Sequence, residues 1–472
     1  MNIVTMPIRA KPFEHQRRAY LSALESFNND RSRGYALLME MGTGKTITSV
    51  AITGRLYLDG RVRRVLVVAP LSILGVWQEE FEKFADFDYN LAVLSGTGSK
   101  KSETLGGLNG AGLQVAVVNY ESAWRLEKEI AAWKPDLIIA DEGHKIKTHN
   151  ISASKAMHRL GMGAKYRLLL TGTIITNKAI DVFSQYKYLN PTIFGNSFYS
   201  FRNRYFDMVG YGNHTPMLKR SMEPELTAKL HSIAFRATKS ECLDLPETID
   251  VIRSVELESS AAKVYRDLVK ESYAELGDKE ITATNILTRL LRLSQLTGGF
   301  IGDDDGGTPQ NISRAKLNAL SDIIDTAQQE GKKLVVIARF IPEIKAICAI
   351  LGKLGIGYSC IMGGVKDREE QVARFQNDPD VQVFVGQIAT AGLGITLTAA
   401  STMVFYSLDY NMANFEQAKA RIHRVGQRKN CTYIYLAAKG TVDEKVLKAL
   451  QSKADLARML VDDYRSGRNP YQ

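Results

Sequence analysis

The chain has 472 residues, which exceeds the length of one ordinary hydrophobic core and predicts two or three domains. Its composition, with 45% hydrophobic and 24% charged residues, is that of a soluble globular protein. No apolar run approaches the ~20 residues that a membrane-spanning helix requires, so we expect no membrane association. The net charge of +10 fits a polyanionic partner such as nucleic acid, although charge alone does not select one.

The N-terminus and the cysteines predict the cellular compartment. The first ten residues contain no long apolar stretch, so we expect no secretory signal. The four cysteines lie far apart in the sequence and form no C-x-x-C pair, which argues against a zinc site and a disulfide framework. We therefore expect free thiols in a reducing cytoplasm.

Short aliphatic runs alternate with amphipathic stretches in the first part of the chain. The runs are at 64–70, 113–119, 136–141 and 166–171. Each is followed by polar residues or glycine, which is typical of buried parallel strands, and helical patterns lie between them. This alternation predicts an α/β lobe at 1–180 with a parallel sheet.

The segment 181–312 has a different texture. It is rich in aromatic residues from Phe194 to Phe206, and its leucines between Leu287 and Leu296 recur at helical spacing. We predict a mostly helical insertion with these aromatic residues in its core, and a surface linker at 302–309, where Gly, Asp and Pro cluster.

Strand-like aliphatic runs return in the last part of the chain. They lie at 333–338, 381–385, 402–406 and 432–436, and a helical pattern follows them at 442–460. These runs predict a second α/β lobe at 313–472, with a loose polar tail. The predicted fold class is therefore α/β, with two parallel-sheet lobes and a mostly helical insertion between them.

The sequence MEMGTGKT at 39–46 lies between a short apolar run and a helical pattern, which is the context of a phosphate-binding loop. Glycines let backbone N–H groups converge on phosphate oxygens, and the following helix N-terminus adds its positive dipole end. Lys45 is predicted to reach the β and γ phosphates, and Thr46 to ligate Mg²⁺. The first glycine of the usual pattern is replaced by Met39. The residues predicted to bind ATP here are Gly42, Thr43, Gly44, Lys45 and Thr46.

Two carboxylates follow the predicted strand at 136–141. Asp141 and Glu142 stand at the carboxyl end of this strand, where open α/β sheets bind ligands. We predict that Asp141 holds Mg²⁺ through water and that Glu142 orients and polarises the attacking water.

Two arginines near the end of the second lobe are candidates for transition-state stabilisation. Arg421 and Arg424 are three residues apart, so they would share one face of a helix if this segment were helical. Cations at this point can stabilise the charge on a γ-phosphate during transfer.

The order of these motifs resembles that of superfamily-two helicases of the DEAD/DEAH type, and within them the Swi/Snf-type DNA translocases. The sequence FEHQ at 13–16 resembles the adenine-reading motif of the family, which implies that Gln16 reads adenine. The sequence DEGHKIK at 141–147 resembles its D-E-A-H-x-x-K box, and FRATK at 235–239 resembles a segment of the Swi/Snf group. The resemblance implies two RecA-like lobes that bind ATP and Mg²⁺ between them.

The resemblance also implies a set of residues that bind nucleic acid or couple it to the ATP state. They are Pro70, Ser72, Asn119, Tyr120, His144, Thr171, Thr173, Arg339, Thr390, Gly392 and Gln417.

The chain departs from the family pattern at several positions. Gly143 replaces the alanine of the acidic box, Ile174 replaces a proline, and Thr396 replaces an asparagine. None of these positions is predicted to bind ATP. Because of these departures, the predicted nucleic-acid contacts are less well defined than the predicted ATP contacts. The sequence shows no flanking bromodomain-like, chromodomain-like or zinc module, so the resemblance favours a compact bacterial or phage-like member in the cytoplasm of a bacterial or phage-infected cell.

The predicted function is an ATP-dependent translocase that moves along double-stranded DNA by hydrolysing ATP, a DNA-dependent ATPase of the helicase class. Three alternatives remain open: a helicase that separates DNA strands, an RNA-directed enzyme, and a clamp that binds ATP without turnover. Backbone contacts carry little sequence information, so tracking is expected to tolerate any sequence and to be sensitive to salt.

Overall fold

The computed structural model describes residues 5–28, 32–172, 174–175, 178–210, 215–274, 283–302, 309–365, 367–388 and 395–461. Contacts divide the chain into two compact units. Of the described residues, unit 1 contains 5–244 and 453–461, and unit 2 contains 245–452. These bounds differ from the predicted ones, because the structure divides the segment 181–312 between the two units. None of the described helices combines the length and the apolar character needed to cross a membrane.

Unit 1 is built on a parallel sheet. Its strands and those of a small antiparallel hairpin are β1 (Gly34–Met39), β2 (Arg64–Ala69), β3 (Tyr89–Val93), β4 (Leu113–Asn119), β5 (Leu137–Asp141), β6 (Tyr166–Thr171), β7 (Phe206–Val209), β8 (Thr215–Leu218) and β9 (Ala234–Ala237). The sheet has the order β3-β4-β2-β5-β6-β1-β9, while β7 and β8 form the hairpin. The residues of β1, β4 and β5 are buried throughout, as expected for strands that helices cover on both faces.

Helices surround this sheet and occupy most of the intervening chain. They are α1 (Glu14–Asn28), α2 (Lys45–Leu58), α3 (Leu74–Phe84), α4 (Gly98–Gly107), α5 (Tyr120–Arg125), α6 (Glu127–Trp133), α7 (Ser152–Gly163), α8 (Val182–Leu189), α9 (Phe198–Tyr205), α10 (Glu223–His231) and α11 (Lys239–Cys242). Short 3₁₀ turns lie at Leu71–Ile73, Gly143–Ile146, Ala179–Asp181 and Arg220–Met222.

The aromatic segment that follows α8 packs into the core of unit 1. Phe194, Phe201 and Tyr205 are buried, and the rings of Phe194 and Phe201 are 5.1 Å apart at their centroids. Tyr199 is 64% exposed, so the prediction that these residues form core holds for the others and not for Tyr199.

The strand β9 was not predicted from the sequence. It pairs in parallel with β1, with Leu38 opposite Arg236. Four residues are too few to show a strand pattern in the sequence, so only the tertiary pairing reveals this strand. It places the segment FRATK beside the phosphate loop.

Unit 2 contains a second parallel sheet. Its strands are β10 (Thr248–Val255), β11 (Phe300–Ile301), β12 (Gln310–Asn311), β13 (Leu334–Ala338), β14 (Gly357–Ile361), β15 (Val381–Gln387), β16 (Thr402–Phe405) and β17 (Cys431–Ala438). The sheet has the order β10-β17-β16-β13-β15-β14, and β11 and β12 form an antiparallel pair. Its helices are α12 (Ser259–Ala274), α13 (Ala283–Thr297), α14 (Ala315–Gln329), α15 (Ile341–Lys353), α16 (Arg368–Asn377), α17 (Met412–Lys419) and α18 (Val442–Val461). The division between the units falls within α18.

The predicted α/β class with two parallel-sheet lobes is confirmed. The segment 181–312 contributes both helices and strands, including β9 to the first sheet and β10 to the second. Most of the predicted linker and the whole polar tail lie outside the described residues.

Candidate nucleotide site

The loop after β1 has the geometry of a phosphate cradle. Gly42 and Gly44 adopt positive φ angles of 86° and 90°, a backbone region that glycine enters without steric cost. Gly44 is the N-cap of α2, and among the described residues no side chain caps this helix. The N–H groups of its first turn are therefore available to an anion, as at the phosphate sites of other helix N-termini.

Gln16 on α1 lies against this loop. Its Nε2 atom donates to the carbonyl oxygen of Thr43 at 3.2 Å, and its Oε1 atom accepts from the backbone N–H of Phe13 at 3.0 Å. His15 contacts the same Thr43 oxygen through Nε2 at 2.7 Å. The structure therefore places the predicted adenine reader beside the phosphate loop, and it adds His15, which the sequence analysis did not select.

A cavity of about 400 Å³ opens at the start of α1 and beside β9. Its lining includes Phe13, His15, Arg18 and Phe235. The Arg18 guanidinium stands 5.9 Å from the centroid of the Phe235 ring, and Phe13 is 52% exposed. This combination of aromatic faces and a cation suits the flat, polar-edged ring of a nucleobase.

Lys45 lies at the centre of a charged cluster. Its Nζ atom donates to the carbonyl oxygen of Met39 at 3.0 Å. Burial lowers the pKa of Lys45, while the carboxylates of Glu142, Asp141 and Glu40 act in the opposite direction. The predicted partners of ATP are thus brought together in unit 1, where a half-buried ammonium group faces several acids.

Asp141 is held rigidly at the end of β5 and is only 6% exposed. Its Oδ2 atom accepts from Nε1 of Trp77 at 3.0 Å, and its Oδ1 atom accepts from the backbone N–H of Glu142 at 2.8 Å. Burial and the neighbouring Glu142 carboxylate together raise the pKa of Asp141 to about 7, although Lys45 opposes the change. A cation bound here would stabilise the ionised carboxylate. The bond from Trp77 to Asp141 was not predicted from the sequence.

Glu142 has an uncommon backbone conformation. Its φ and ψ angles of 50° and 56° lie in the left-handed region, which a non-glycine residue enters at a cost. Its Oε2 atom lies 3.2 Å from Nδ1 of His144. The turn therefore directs the predicted catalytic carboxylate and His144 toward each other.

The glycine that replaces alanine in the acidic box has a steric explanation. A Cβ atom built on Gly143 would lie 2.5 Å from Cγ of Leu169. The side chain of Leu169 thus occupies the space that an alanine methyl group would need.

Arg236 connects three parts of this site. Its Nη1 atom donates to the carbonyl oxygens of Leu38 at 3.1 Å and Gly172 at 3.2 Å, and its Nη2 atom forms an ion pair with Oε1 of Glu40 at 3.2 Å. The other oxygen of Glu40 accepts from the backbone N–H of Lys239 at 2.9 Å. Arg236 belongs to the segment FRATK at 235–239, for which the sequence predicted no role. Only the pairing of β9 with β1 shows that Arg236 reaches the phosphate loop.

The predicted nucleic-acid residues of unit 1 fall into two groups. Pro70 and Ser72 follow β2, and Ser72 is exposed. Asn119 and Tyr120 are buried, and the Tyr120 hydroxyl donates to the carbonyl oxygen of Asp141 at 2.6 Å. Tyr120 therefore contacts the backbone of the acidic box, whereas the Asn119 amide donates to Glu121 at 2.8 Å, and neither residue is exposed. Thr171 is also buried, at the end of β6.

The two predicted arginines of unit 2 do not share a helix. The helix α17 ends at Lys419, so Arg421 and Arg424 lie in the turns that follow it. Arg421 is 3% exposed, and the Nη1 atom of Arg424 donates to the carbonyl oxygen of Ile395 at 3.4 Å. Gly426, with φ of 101°, continues the turn.

Gln427 stabilises this arginine loop. Its Nε2 atom donates to the carbonyl oxygens of Ala400 at 2.8 Å and Ile422 at 3.0 Å, and its Oε1 atom accepts from the backbone N–H groups of Arg428 and Lys429, each at 3.0 Å. Gln427 is buried, and its amide satisfies backbone groups of the loop that would otherwise lack partners.

Of the other residues predicted for unit 2, Arg339 directly follows β13 and its guanidinium lies 4.9 Å from the Phe340 ring centroid. Gln417 is half-buried on α17. Thr390 and Gly392 lie outside the described residues, as does Thr173 of unit 1.

Comparison with known proteins matches two family domains to successive parts of the chain. Residues 15–298 match the SNF2-related domain, and residues 315–426 match the helicase conserved C-terminal domain. The DNA repair and recombination protein RDH54 of Saccharomyces cerevisiae is 26% identical over 92% of this chain and 52% of its own length. An uncharacterized ATP-dependent helicase of Mycoplasma pneumoniae is 28% identical over 91% of this chain and 40% of its own length.

The chain spans about half the length of the curated relatives it matches. A solved structure of the Sulfolobus solfataricus SWI2/SNF2 ATPase core in complex with double-stranded DNA aligns with 99% of this chain and 96% of its own, at 26% identity and a TM-score of 0.48. The match to the SNF2-related domain covers more than half of the 472 residues and confirms the family resemblance seen in the sequence. The chain belongs to the family of proteins that carry an SNF2-related domain followed by a helicase conserved C-terminal domain.

Proposed function

We propose that this protein is a DNA-dependent ATPase that uses ATP hydrolysis to move along double-stranded DNA. The observation that carries the proposal is the charged cluster of unit 1. There the uncapped N-terminus of α2, the Lys45 ammonium group and the carboxylates of Asp141 and Glu142 surround one loop. This arrangement can bind the phosphates of a nucleotide and a divalent cation at once.

The proposed binding mode follows from the residues of unit 1. The N–H groups of 42–46 and the Lys45 ammonium group bind the β and γ phosphates, which would replace the Met39 carbonyl oxygen as the partner of Lys45. The nucleobase lies in the cavity beside Phe13 and Phe235, next to Gln16.

The residues present also fit Mg²⁺. Magnesium prefers oxygen ligands and is usually held by one or two protein groups together with phosphates. Asp141 and Thr46 supply such oxygens, and the raised pKa of Asp141 shows that its site disfavours an uncompensated negative charge. When bound, Mg²⁺ would neutralise charge that develops on the phosphates. Glu142 would accept a proton from the attacking water, held by the backbone turn that places it beside His144.

Turnover is also proposed to require Arg421 and Arg424 of unit 2, the cations that the family resemblance implies for the γ-phosphate. Gln427 holds the turn that carries them. Removing Arg424 is expected to lower kcat without lowering nucleotide affinity equally, because a transition-state charge contact contributes mainly to the rate.

DNA is the proposed track. The chain is basic, with a net charge of +10. Its relatives include a DNA repair and recombination protein and a mouse protein named chromodomain-helicase-DNA-binding protein 1-like, 27% identical over 90% of this chain. Phosphate-backbone contacts from a moving protein would be tolerant of sequence and sensitive to salt.

The test measures steady-state ATPase rates without nucleic acid, with single-stranded DNA, with double-stranded DNA and with RNA. We expect strong stimulation by duplex DNA and loss of turnover in Glu142→Gln, because the amide cannot accept a proton. The exposed Glu129→Gln on α6 is the matched control and is expected to behave as wild type.

The second candidate is a helicase that separates strands. Stimulation mainly by single strands or RNA, together with unwinding of a forked duplex, would replace the translocase proposal. An absence of turnover under all four conditions would leave a nucleotide-binding clamp as the better description.

A further inference from the structure

A cavity of about 250 Å³ lies beside α15 in unit 2. One wall is a face of α15, and the facing wall is the segment that runs from the end of α13 through β11 and β12 to the start of α14. The volume is slightly below the range of roughly 300–1,000 Å³ that is common for ligand pockets, so an occupant would be small. We name it the α15 cavity, and its lining includes Gly298, Arg314, Glu343, Ala346, Ile350 and Lys353.

Residues without long side chains keep the α15 cavity open. A Cβ atom built on Gly298 would lie 2.1 Å from Oε1 of Glu343, and one built on Gly299 would lie 2.5 Å from the carbonyl oxygen of Ser313. Gly299 also has a φ angle of 103°, which favours glycine. On the facing wall, Ala346 contributes only a methyl group. A larger residue at any of these positions would narrow the cavity or clash with its wall.

Glu343 is the buried polar group of the α15 cavity. It is only 1% exposed, and its Oε2 atom accepts from the backbone N–H groups of Arg339 and Phe340 and from the Ser407 hydroxyl. Its Oε1 atom has no hydrogen-bond partner among the described residues, although buried polar atoms nearly always have one. This oxygen lies against Gly298, which also lines the cavity. One carboxylate oxygen can therefore accept a hydrogen bond from a donor that enters the cavity.

Two cations line the same cavity at exposed positions. Arg314 directly precedes α14, and Lys353 is the last residue of α15. Neither side chain forms an ion pair with the described residues, whereas Lys316, whose charge acts on Glu343, already pairs with Asp443 at 2.7 Å. Glu343 is the one acid among the described residues that line the cavity. The Arg314 guanidinium and the Lys353 ammonium group are thus available to an anionic group of a ligand.

The charges and walls of the α15 cavity select one class of ligand. Phe300, Leu317 and Ile350 supply apolar surface. A polyanion such as nucleic acid would meet the Glu343 carboxylate, and a polyamine would meet both cations. An uncharged apolar molecule would leave the Glu343 oxygen without a partner. A small zwitterion, with an ammonium group at one end and a carboxylate at the other, can satisfy both kinds of charge.

The spacing along α15 sets the separation of these charges. Glu343 and Lys353 are ten residues apart, which corresponds to about 15 Å along the helix axis at a rise of roughly 1.5 Å per residue. Side chains in a helix lean toward its N-terminus, and lysine is long, so the ligand needs to span less than this distance. An extended chain of three residues spans about 10 Å. The spacing therefore favours a short, unblocked peptide over a free amino acid, in which the two charges are adjacent.

We propose that the α15 cavity binds a small zwitterion of the short-peptide class, with its ammonium group at Glu343 and its carboxylate at Arg314 and Lys353. The inference depends on residues of unit 2 alone, so its test is independent of the proposed ATPase function.

The test compares three peptides that differ only in their ends. Binding of trialanine, N-acetyl-trialanine and trialanine amide to the full-length protein is measured by isothermal titration calorimetry. We expect trialanine to bind at one site per chain with a Kd below about 1 mM. Each blocked peptide should bind at least about 10-fold more weakly, because a hydrogen bond to a charged group is lost.

Two variants assign the two ends of the peptide. In Glu343→Gln, trialanine and its N-acetyl derivative should bind with similar affinity, because the carboxylate that distinguishes them is gone. In Arg314→Ala/Lys353→Ala, trialanine and its amide should bind with similar affinity. The matched control Lys345→Ala/Arg374→Ala removes one lysine and one arginine from exposed positions of unit 2 outside the cavity lining and should bind like wild type.

A cavity-filling variant covers the case in which Glu343→Gln does not fold. Ala346→Leu adds bulk to the wall and should abolish binding of trialanine, while circular dichroism and the melting temperature show whether the protein is still folded. Arg314→Ala/Lys353→Ala changes only exposed side chains, so it keeps the test decisive if both of the other variants unfold.

Several outcomes would overturn the proposal. No binding of trialanine at millimolar concentration would exclude a short-peptide site. Equal affinity for all three peptides, or unchanged binding in a folded Ala346→Leu variant, would place any binding outside the α15 cavity. Weaker binding after acetylation but not after amidation would indicate a site for amines, and the reverse would indicate a site for carboxylates.

Discussion

Each of the two sheets contains a strand that leads through a loop into a helix. The two units differ in what occupies the N-terminus of that helix. In unit 1, β1 leads through Gly42 and Gly44 into α2, and among the described residues no side chain caps that helix. In unit 2, β13 leads into α15, and Glu343 in its first turn covers the N-terminus. The open N-terminus can accept a phosphate, whereas the covered one already holds a carboxylate.

The carboxyl group of Glu343 caps the N-terminus of α15. Its Oε2 atom accepts from the backbone N–H groups of Arg339 at 3.1 Å and Phe340 at 3.0 Å, and from the Ser407 hydroxyl at 2.5 Å. Burial outweighs these donors and the Lys316 ammonium group, so the pKa of Glu343 is raised to about 7. The comparison teaches that a parallel α/β fold supplies a potential anion site in each unit, and that loop residues decide whether a ligand or a side chain occupies it.

The largest expected effect on ATP hydrolysis comes from removing Lys45, the cation of the loop between β1 and α2. Lys45→Ala should lower the rate of ATP hydrolysis by at least about 100-fold, because a charge contact to the transferred phosphate is lost. Steady-state ATPase assays with saturating duplex DNA measure this. The exposed Lys128→Ala of α6 is the control, and a near-normal rate for Lys45→Ala would mean that this loop is not the catalytic phosphate site.

A smaller effect is expected at Arg236, which joins the open loop to Gly172 and Leu38. Arg236→Ala should lower kcat/KM by about 10-fold, because hydrogen bonds to a charged group are worth roughly 1.5–3 kcal/mol. Arg236→Lys keeps the charge but cannot make all three contacts, so it should fall between alanine and wild type. Separate kcat and KM values test this. Equal kinetics for lysine and alanine would show that the charge has no role.

Gly143→Ala should have a modest effect on turnover. The added methyl group meets Leu169, and overpacking of this kind costs about 1–3 kcal/mol. We expect a lower melting temperature and a few-fold slower rate, as the turn at Glu142 adjusts. Leu169→Ala should partly restore both in the double variant, and a purely additive double variant would contradict the steric explanation.

A substitution of Glu343 in unit 2 should change the stability of the protein and leave ATP turnover nearly unchanged. The folded-state pKa of Glu343 is raised above its unfolded value, so its contribution to stability is full below about pH 4 and is lost as the pH rises through about 7. The thermal stability of unit 2 should therefore fall between about pH 5 and pH 8, and Glu343→Gln should flatten this dependence. Hydrogen exchange at the backbone N–H groups of Arg339 and Phe340, measured across this range, reports the effect. A pH dependence that Glu343→Gln leaves unaltered would assign it to other groups.

Local patterns were sufficient for much of the fold. The bounds of β4 and β6 coincide with the predicted runs, and those of α18 lie within one residue of the predicted 442–460. Aliphatic runs and helical spacing are properties of neighbouring residues, so they can be interpreted without knowledge of the fold. The division of 181–312 between two units could not be predicted, because it depends on the pairing of β9 with β1 and of β10 with β17.

By itself, the sequence determined the phosphate loop, the acidic box and the family of this protein, because those motifs are short and continuous. Only the tertiary structure decided what surrounds them. It joined Arg236 to Glu40, Trp77 to Asp141 and the backbone of Arg63 to Asp136 across long stretches of chain. It also ended α17 before Arg421, a result that the helical pattern did not predict. The physical reason is that hydrogen bonds, burial and charge depend on distance in space, which chain order alone does not specify.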